Sequence, residues 1–287
     1  MGMREGMHSM IARLNSSHAC HFHDAVHAAG LGALMPARLL AFDTSTEVLA
    51  IAVGSPAGAL VHHGAGGAQA SATLLPQAMA LCQRAGVALE SLDAIAFGRG
   101  PGAFTGLRTS CAVAQGLALG LGCPVLPIGS LLIVAEDARA HVGRGGDVDT
   151  NIDPGIDIDI DIGVARDARM GEVYAARWRW QRGRWHVQDA PMLCTPEALV
   201  AAWRVQPPDW LAGSAWAALG TRLALPAGPP VLHHERNRAA ALLRLAVAAH
   251  ARGDGVDAAQ ALPLYLRDKV ALTTAERDAV RAAAAGA

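Results

Sequence analysis

From Arg38 onward, apolar residues recur at one of two periods, and each change of period marks an element. Residues 39–43 (LLAFD), 48–53 and 59–63 are short apolar runs with little between them. This predicts three strands in an antiparallel meander. Residues 71–85 follow as a helix, with Ser71 as cap, Gly86 as stop and Pro76 as a kink or a late start. A strand at 95–97 runs into a loop holding Gly98, Gly100, Pro101 and Gly102. A helix of small residues then spans 105–121, and a strand spans 124–128. Ser130 caps a helix to about residue 140. Further on, residues 173–180 and 185–188 alternate about Arg182-Gly183 as a hairpin, and Thr195-Pro196-Glu197 opens a helix to about residue 203. Residues 209–213 are strand-like, 238–251 form an alanine- and leucine-rich helix, and Thr273 with Glu276 makes a capping box for a tail helix.

The first eight elements read β-β-β-α-β-α-β-α, which implies a mixed sheet with helices on its faces. That order is the one found in actin/hexokinase/Hsp70-like half-domains. The expected architecture is therefore α/β, with two half-domains of the actin-like type, each a mixed sheet flanked by helices. Residues 36–141 form the first and 164–272 the second, with helix 236–251 placed to pack on either. Three segments fall outside this scheme. Residues 1–35 show no sustained period and hold five histidines. Their His18, Cys20, His21 and His23 match no ordinary zinc spacing, so a disordered extension is expected. Residues 142–163 contain IDPGIDIDIDIG, read as a low-complexity insertion without the glycine and glutamate of a calcium loop. Residues 273–287 are the tail helix.

Composition narrows the function classes. Of 287 residues, 52% are hydrophobic and 17% charged, which provides a core and argues against wholesale disorder. A net charge of −1 removes any overall basic field for nucleic acid. Five cysteines, none in a CxxC pair, fit a reducing cytoplasmic setting. No run approaches the ~18 apolar residues of a membrane span.

The candidate chemistry lies in the loops. The loop from Gly98 to Gly102 feeds a helix N-terminus, a geometry that suits a phosphate. It equally suits a tight strand-to-helix turn. The small residues Gly106, Ser110, Ala112, Ala114, Gly116 and Ala118 also suit a closely packed partner. Asp43, Thr44, Ser45 and Thr46 end the first strand as a weak phosphate-loop candidate, and residues 167–171 are the one candidate for a second acidic loop. No adenosine-binding glycine motif, HExxH or GxSxG occurs, so neither a metal set nor a catalytic residue is assigned. Arg177 and Arg179 alternate with Ala176, Trp178 and Trp180, as in an RNA grip or a hairpin with its tryptophans inward. Two readings follow: an actin-like-fold ATPase or carbamoyl-type transferase, and a non-catalytic partner that kept the fold.

The combination FDTST at 42–46, GRGPGAFTGLR at 98–108, AQGLALG at 114–120, DARMGEVY at 167–174 and YLRDKVA at 265–271 resembles the bacterial TsaB family. The motif residues are Gly98, Gly100, Pro101, Gly102, Phe104, Thr105, Gly106, Arg108, Asp167, Arg169, Gly171 and Glu172. The resemblance covers residues 38–271 apart from the Asp/Ile run. It implies a pseudo-enzyme subunit for threonylcarbamoyladenosine formation at the adenosine following the tRNA anticodon. Such proteins pair with the TsaD transferase, engage the ATPase TsaE and reach tRNA through the complex. The resemblance implies no intrinsic cofactor or metal, with ATP or ADP entering at the partner complex, and leaves homodimer or monomer open for the isolated chain. It also implies a four-helix contact with TsaD through the first two helices. Here that contact maps to Leu74, Leu75, Ala78, Met79, Cys82, Gly106, Ser110, Val113, Gly116, Leu117 and Gly120.

Overall fold

The computed structural model describes residues 37–54, 58–142, 159–226 and 228–267. The His-rich extension, most of the Asp/Ile run and the Thr273–Glu276 capping box lie outside these residues.

The first half runs β1 (Leu39–Asp43), β2 (Val48–Gly54), β3 (Leu60–Ala65), α1 (Ala70–Arg84), β4 (Ala94–Gly100), α2 (Phe104–Leu121), β5 (Val125–Gly129) and α3 (Ser130–Val142). The second runs β6 (Ile160–Asp167), β7 (Val173–Gln181), β8 (Arg184–Cys194), α4 (Pro196–Trp203), β9 (Trp210–Ala212), α5 (Ala215–Leu219), β10 (Val231–Leu232) and α6 (Arg238–Ala251). The two sheets have the orders β3-β2-β1-β4-β5 and β8-β7-β6-β9-β10. In each, the first strand is central. It pairs antiparallel with the second, which pairs antiparallel with the third, and on its other side the fourth and fifth run parallel to it. One topology is thus built twice, and this duplication is the actin-like fold.

Strand alternation decides which face each helix covers. Leu40, Phe42, Ile51, Ile95 and Phe97 point to one side of the first sheet. There they meet Leu74, Ala78, Leu81 and Cys82 of α1 and Cys111, Ala114 and Ala118 of α2. Ala41, Ala50, Ala52, Ala94 and Ala96 point to the other side. Their small side chains let the alanine-rich α6 lie close, through Ala239, Leu242, Leu243 and Ala246. Leu131, Val134, Ala135 and Ala138 of α3 pack on Ile160, Ile162, Val164 and Trp178 of the second sheet.

Two expected boundaries move. The Asp/Ile run does not end as an insertion at residue 163, because Ile160, Asp161 and Ile162 already belong to the central strand β6. Residues 256–264, after α6, join the first half. Val256 bridges to Val125, Leu264 N–H donates to the Arg99 carbonyl (2.7 Å), and the Ala261 carbonyl accepts from Gln115 Nε2 (3.0 Å). Helix starts also differ in detail. α1 begins at Ala70 with Gln69 at the cap position and continues through Pro76. Ser130 opens α3, but its hydroxyl accepts the Gly100 N–H (3.0 Å). Thr195 caps α4 by accepting from Ala198 N–H. Arg182 and Gly183 both take positive φ (52° and 68°), as a two-residue hairpin turn requires.

The hairpin arginines have an internal carboxylate partner. Arg177 makes two bonds to Asp161, Nε to Oδ1 (2.7 Å) and Nη2 to Oδ2 (2.9 Å), and Arg179 adds a third at 2.9 Å. Asp161 is buried, and Trp178 and Ala176 point inward on the opposite face of the strand. A buried carboxylate demands such partners; Arg177 is buried with it, while Arg179 makes one bond to it and stays 42% exposed.

Candidate functional site

The glycine loop and the turn after β1 form one packed unit. A Cβ on Gly98 would collide with the Asp43 carboxyl, one on Gly102 with Ser45, and one on Gly106 with the Thr44 carbonyl oxygen. The absent side chains let Ala103 N–H donate to the Ser45 carbonyl (2.9 Å) and Thr44 Oγ1 donate to the Gly106 carbonyl (2.6 Å). Close backbone approach is therefore the use these glycines serve among the described residues. Gly106→Ala is expected to cost about 1–3 kcal/mol through overpacking. A lowered melting temperature with unchanged circular dichroism is the measurement that checks it.

Across from this unit stands the β6–β7 turn. Arg169, Met170 and Gly171 follow one another at positive φ (63°, 56° and 74°). Asp167 Oδ1 accepts from Arg169 N–H (2.8 Å), and Glu172 pairs with Arg267 (2.7 Å). Arg267 Nη2 donates to the Ala168 carbonyl (3.0 Å), which ties the turn to the C-terminal strap. At the opposite lip, Arg108 lies over the Phe104 ring (3.9 Å) and its Nε donates to the Tyr265 hydroxyl (3.2 Å). Thr105 is exposed at the start of α2, where its carbonyl accepts from Thr109 Oγ1. Between the two lips lies a cleft of about 850 Å³, with Pro101, Gly102 and Phe104 on one wall and Asp167 and Arg169 on the other.

Four charged groups from both halves meet at the cleft floor. Arg238, the first residue of α6, donates through Nη2 to Asp43 Oδ2 (2.8 Å) and to Ser45 Oγ, and through Nη1 to Thr46 Oγ1 (2.7 Å). Arg166, near the end of β6, donates through Nη1 to the same Ser45 oxygen (3.3 Å). Glu235 faces both arginines, 3.9 Å from Arg166 and 3.3 Å from Arg238. Asp43 also accepts the Ser45 N–H (2.6 Å). Burial pushes the Asp43 carboxyl upward, but Arg238, the Ser45 N–H and Arg166 outweigh it and hold Asp43 below the ordinary carboxylate range. Asp137 of α3 accepts the N–H groups of Arg236 and Asn237 (2.7 and 2.8 Å), which fixes where α6 begins and so where Arg238 points.

All four phosphate-loop candidates thus have internal partners. Asp43, Thr44 and Ser45 are buried, and the Arg238 guanidinium already pairs with the Asp43 carboxylate at 2.8 Å. These residues do not fit a metal–phosphate group. Arg166, Arg238 and Glu235 carry no motif, yet one signal exists. A cation in the first turn of an apolar helix opposes the helix dipole and calls for a local anion.

The candidate interface residues divide. Leu74, Ala78, Cys82, Gly106 and Ser110 are buried against the parent sheet and its loops and cannot reach a partner directly. Leu75, Met79, Gly116 and Gly120 are exposed, Val113 and Leu117 are half-buried, and a Cβ on Gly116 or Gly120 would meet open space.

A twice-built sheet with a charged interdomain cleft defines an actin-like protein in which an arginine fills the turn after the first strand. The family model described as TsaD, tRNA N6-adenosine threonylcarbamoyltransferase, matches residues 65–208. The tRNA threonylcarbamoyladenosine biosynthesis protein TsaB of Escherichia coli (strain K12) is 31% identical over 241 residues, covering 82% of this chain and 96% of that protein. Its namesake from Haemophilus influenzae is 30% identical, covering 81% and 94%. The solved YeaZ from Pseudomonas aeruginosa superposes with a TM-score of 0.67 at 38% identity, covering 80% of this chain and all of that one. The chain belongs to the TsaB family.

Proposed function

We propose that the chain is a non-catalytic subunit in the biosynthesis of threonylcarbamoyladenosine in tRNA. It pairs with a TsaD-type transferase, works with a TsaE-type ATPase and meets tRNA through that assembly in the cytoplasm. Any ATP or ADP belongs to the assembly rather than to the Asp43 turn. The observation that carries this reading is the Arg238–Asp43 pair, because it fills the place where an actin-like ATPase would need a metal–phosphate group. Among the described residues no helix is long and apolar enough to cross a membrane.

The docking surface on this reading is the outer ridge of α1 and α2, with Leu75, Met79, Gly116 and Gly120 and the half-buried Val113 and Leu117. Leu119 is 79% exposed there and extends the ridge. The test is co-purification with the transferase subunit, followed by a threonylcarbamoylation assay with and without this chain. Modification is expected only with the chain present. The chain alone is expected to show neither ATP hydrolysis nor peptidase turnover. Steady turnover that Asp43→Ala removes would reinstate the ATPase reading.

A further inference from the structure

We infer that the C-terminal strap is a latch that sets the angle between the two halves, with Arg267 as its bolt and the β6–β7 turn as its seat. This device is independent of the role in tRNA modification. Two sequence motifs meet in it, DARMGEVY at 167–174 and YLRDKVA at 265–271. Arg267 of the second lies against Ala168, Met170 and Glu172 of the first.

A hinge has one side that stays joined and one that can part. The joined side is α3. Its Ile133 packs in the core of the first sheet, while Leu131, Val134, Ala135 and Ala138 pack on the second. Beside them the buried Glu136 accepts from Arg139 (2.9 Å), from Arg244 of α6 and from Trp185 Nε1 of β8 (3.1 Å). On the other side the cleft of about 850 Å³ separates the halves. Arg166 reaches Ser45 across its floor by a bond of 3.3 Å, beyond the usual range of such bonds. The strap crosses its mouth.

The two ends of the strap are held unequally. On the first half, Ala261 is fully buried, and its carbonyl accepts from Cys111 Sγ (2.9 Å) and Gln115 Nε2 (3.0 Å). Leu264 N–H donates to the Arg99 carbonyl, and Gly100 lacks the Cβ that would strike the Leu264 carbonyl oxygen. On the second half, the hold depends on one forked guanidinium. Its Nη1 lies 2.7 Å from the Glu172 carboxylate and its Nη2 donates to the Ala168 carbonyl. Glu172 is 31% exposed and Arg267 16%, so water reaches this end. The seat itself is strained. Arg169 and Met170 carry side chains at positive φ, a conformation that persists only where surrounding groups hold it. Arg267 clamps Ala168 before these residues and Glu172 after them. Without it the turn relaxes and the mouth loses its tie, while the anchor and α3 remain. The halves then part about α3.

The test is measurement of residual dipolar couplings and hydrogen exchange of the backbone amides, on the full chain and on Arg267→Met. This substitution keeps an apolar stem and removes the fork. In the parent chain the amides of both sheets are expected to fit one alignment tensor. In Arg267→Met the two sheets are expected to need different tensors. The Glu172 amide, bonded to the Arg169 carbonyl, should exchange roughly tenfold to a hundredfold faster, the scale of one charge-assisted hydrogen bond. The Leu264 amide should keep its protection. Glu172→Gln leaves the strap untouched and is expected to move both readouts the same way by less. One shared tensor in Arg267→Met, separate tensors already in the parent, or loss of Leu264 protection together with that of the turn would each overturn the latch. Should Arg267→Met fail to fold, Glu172→Gln decides, and unchanged couplings and exchange in it would overturn the latch as well.

Discussion

Arg238→Ala is expected to destabilise the chain by about 3–5 kcal/mol, the cost of leaving one member of a buried ion pair alone. Asp43 Oδ2 loses its guanidinium donor, while Ser45 Oγ is left with Arg166 alone and Thr46 Oγ1 with the Val48 N–H. Asp43 is fully buried behind the guanidinium, so removal of that group exposes a carboxylate that the chain itself no longer pairs. The double variant Asp43→Asn/Arg238→Met should recover much of the loss, since it removes both charges together. Chemical denaturation of the parent, the single variants and the double variant measures the coupling. A near-additive cycle would show that the pair does not hold the floor together.

The same pair sets a pH signature. In the parent chain the Asp43 carboxyl titrates below its unfolded value of about 3.9. Its stabilising contribution is therefore fully present above that unfolded value and is lost as pH falls through the lower folded one. With Arg238 removed, burial is left opposed only by weaker partners, the folded value rises above the unfolded one, and the sign reverses. The melting temperature of Arg238→Ala, relative to the parent, should then improve as pH is lowered from about 7 toward 4. A difference that stays constant over this range would mean that Asp43 does not carry the effect.

Gly116→Leu is expected to fold as the parent does and to lose the transferase subunit. A Cβ at Gly116 meets nothing within 4 Å, so the isolated chain has room for a branched side chain there. Helices that pack across small residues approach to ~8–10 Å, and a leucine between them forces the axes apart. Overpacking of about 1–3 kcal/mol weakens association roughly tenfold to a hundredfold. Pull-down and the modification assay should fail together while circular dichroism and melting temperature hold. A variant that still binds normally would remove Gly116 from the contact. Leu74→Ala is the matching control, since Leu74 is fully buried on the parent sheet and should lower stability first.

The sequence and the structure agree where a local rule acts alone. LLAFD, the Thr195 cap, the Arg182-Gly183 turn and the alanine-rich run from Arg238 to Ala251 are each decided by neighbours in the chain, and each was legible. The two candidate loops were legible as motifs, though not what fills them. Asp43 and Arg238 are 195 residues apart, and no period or spacing connects them. The same holds for Asp161 and the hairpin arginines. An acidic low-complexity run and a basic hairpin each look solvated until the sheet places them side by side. The small residues of α2 carried two meanings that sequence could not separate. Gly106 and Ser110 face the parent loops, and Gly116 and Gly120 face outward, a distinction set by where the helix begins relative to Thr44.

The cover of the first sheet has a consequence for synthesis. One face of β1, β2 and β4 is closed by α6, whose residues lie more than a hundred positions later in the chain. While the ribosome is still making the second half, Leu39, Ala41, Ala52 and Ala96 have only Leu126, Ile128 and Ile133 of the first half beside them on that side and lack the α6 cover. The Asp43 carboxylate likewise waits for a guanidinium that emerges nearly 200 residues afterwards. The first sheet therefore gains its full cover only after α6 leaves the exit tunnel, and until then the growing chain carries one incompletely covered apolar face. Chains stalled or truncated before residue 238 should therefore be recognised as incomplete by chaperones and proteases, even with the whole first sheet already synthesised.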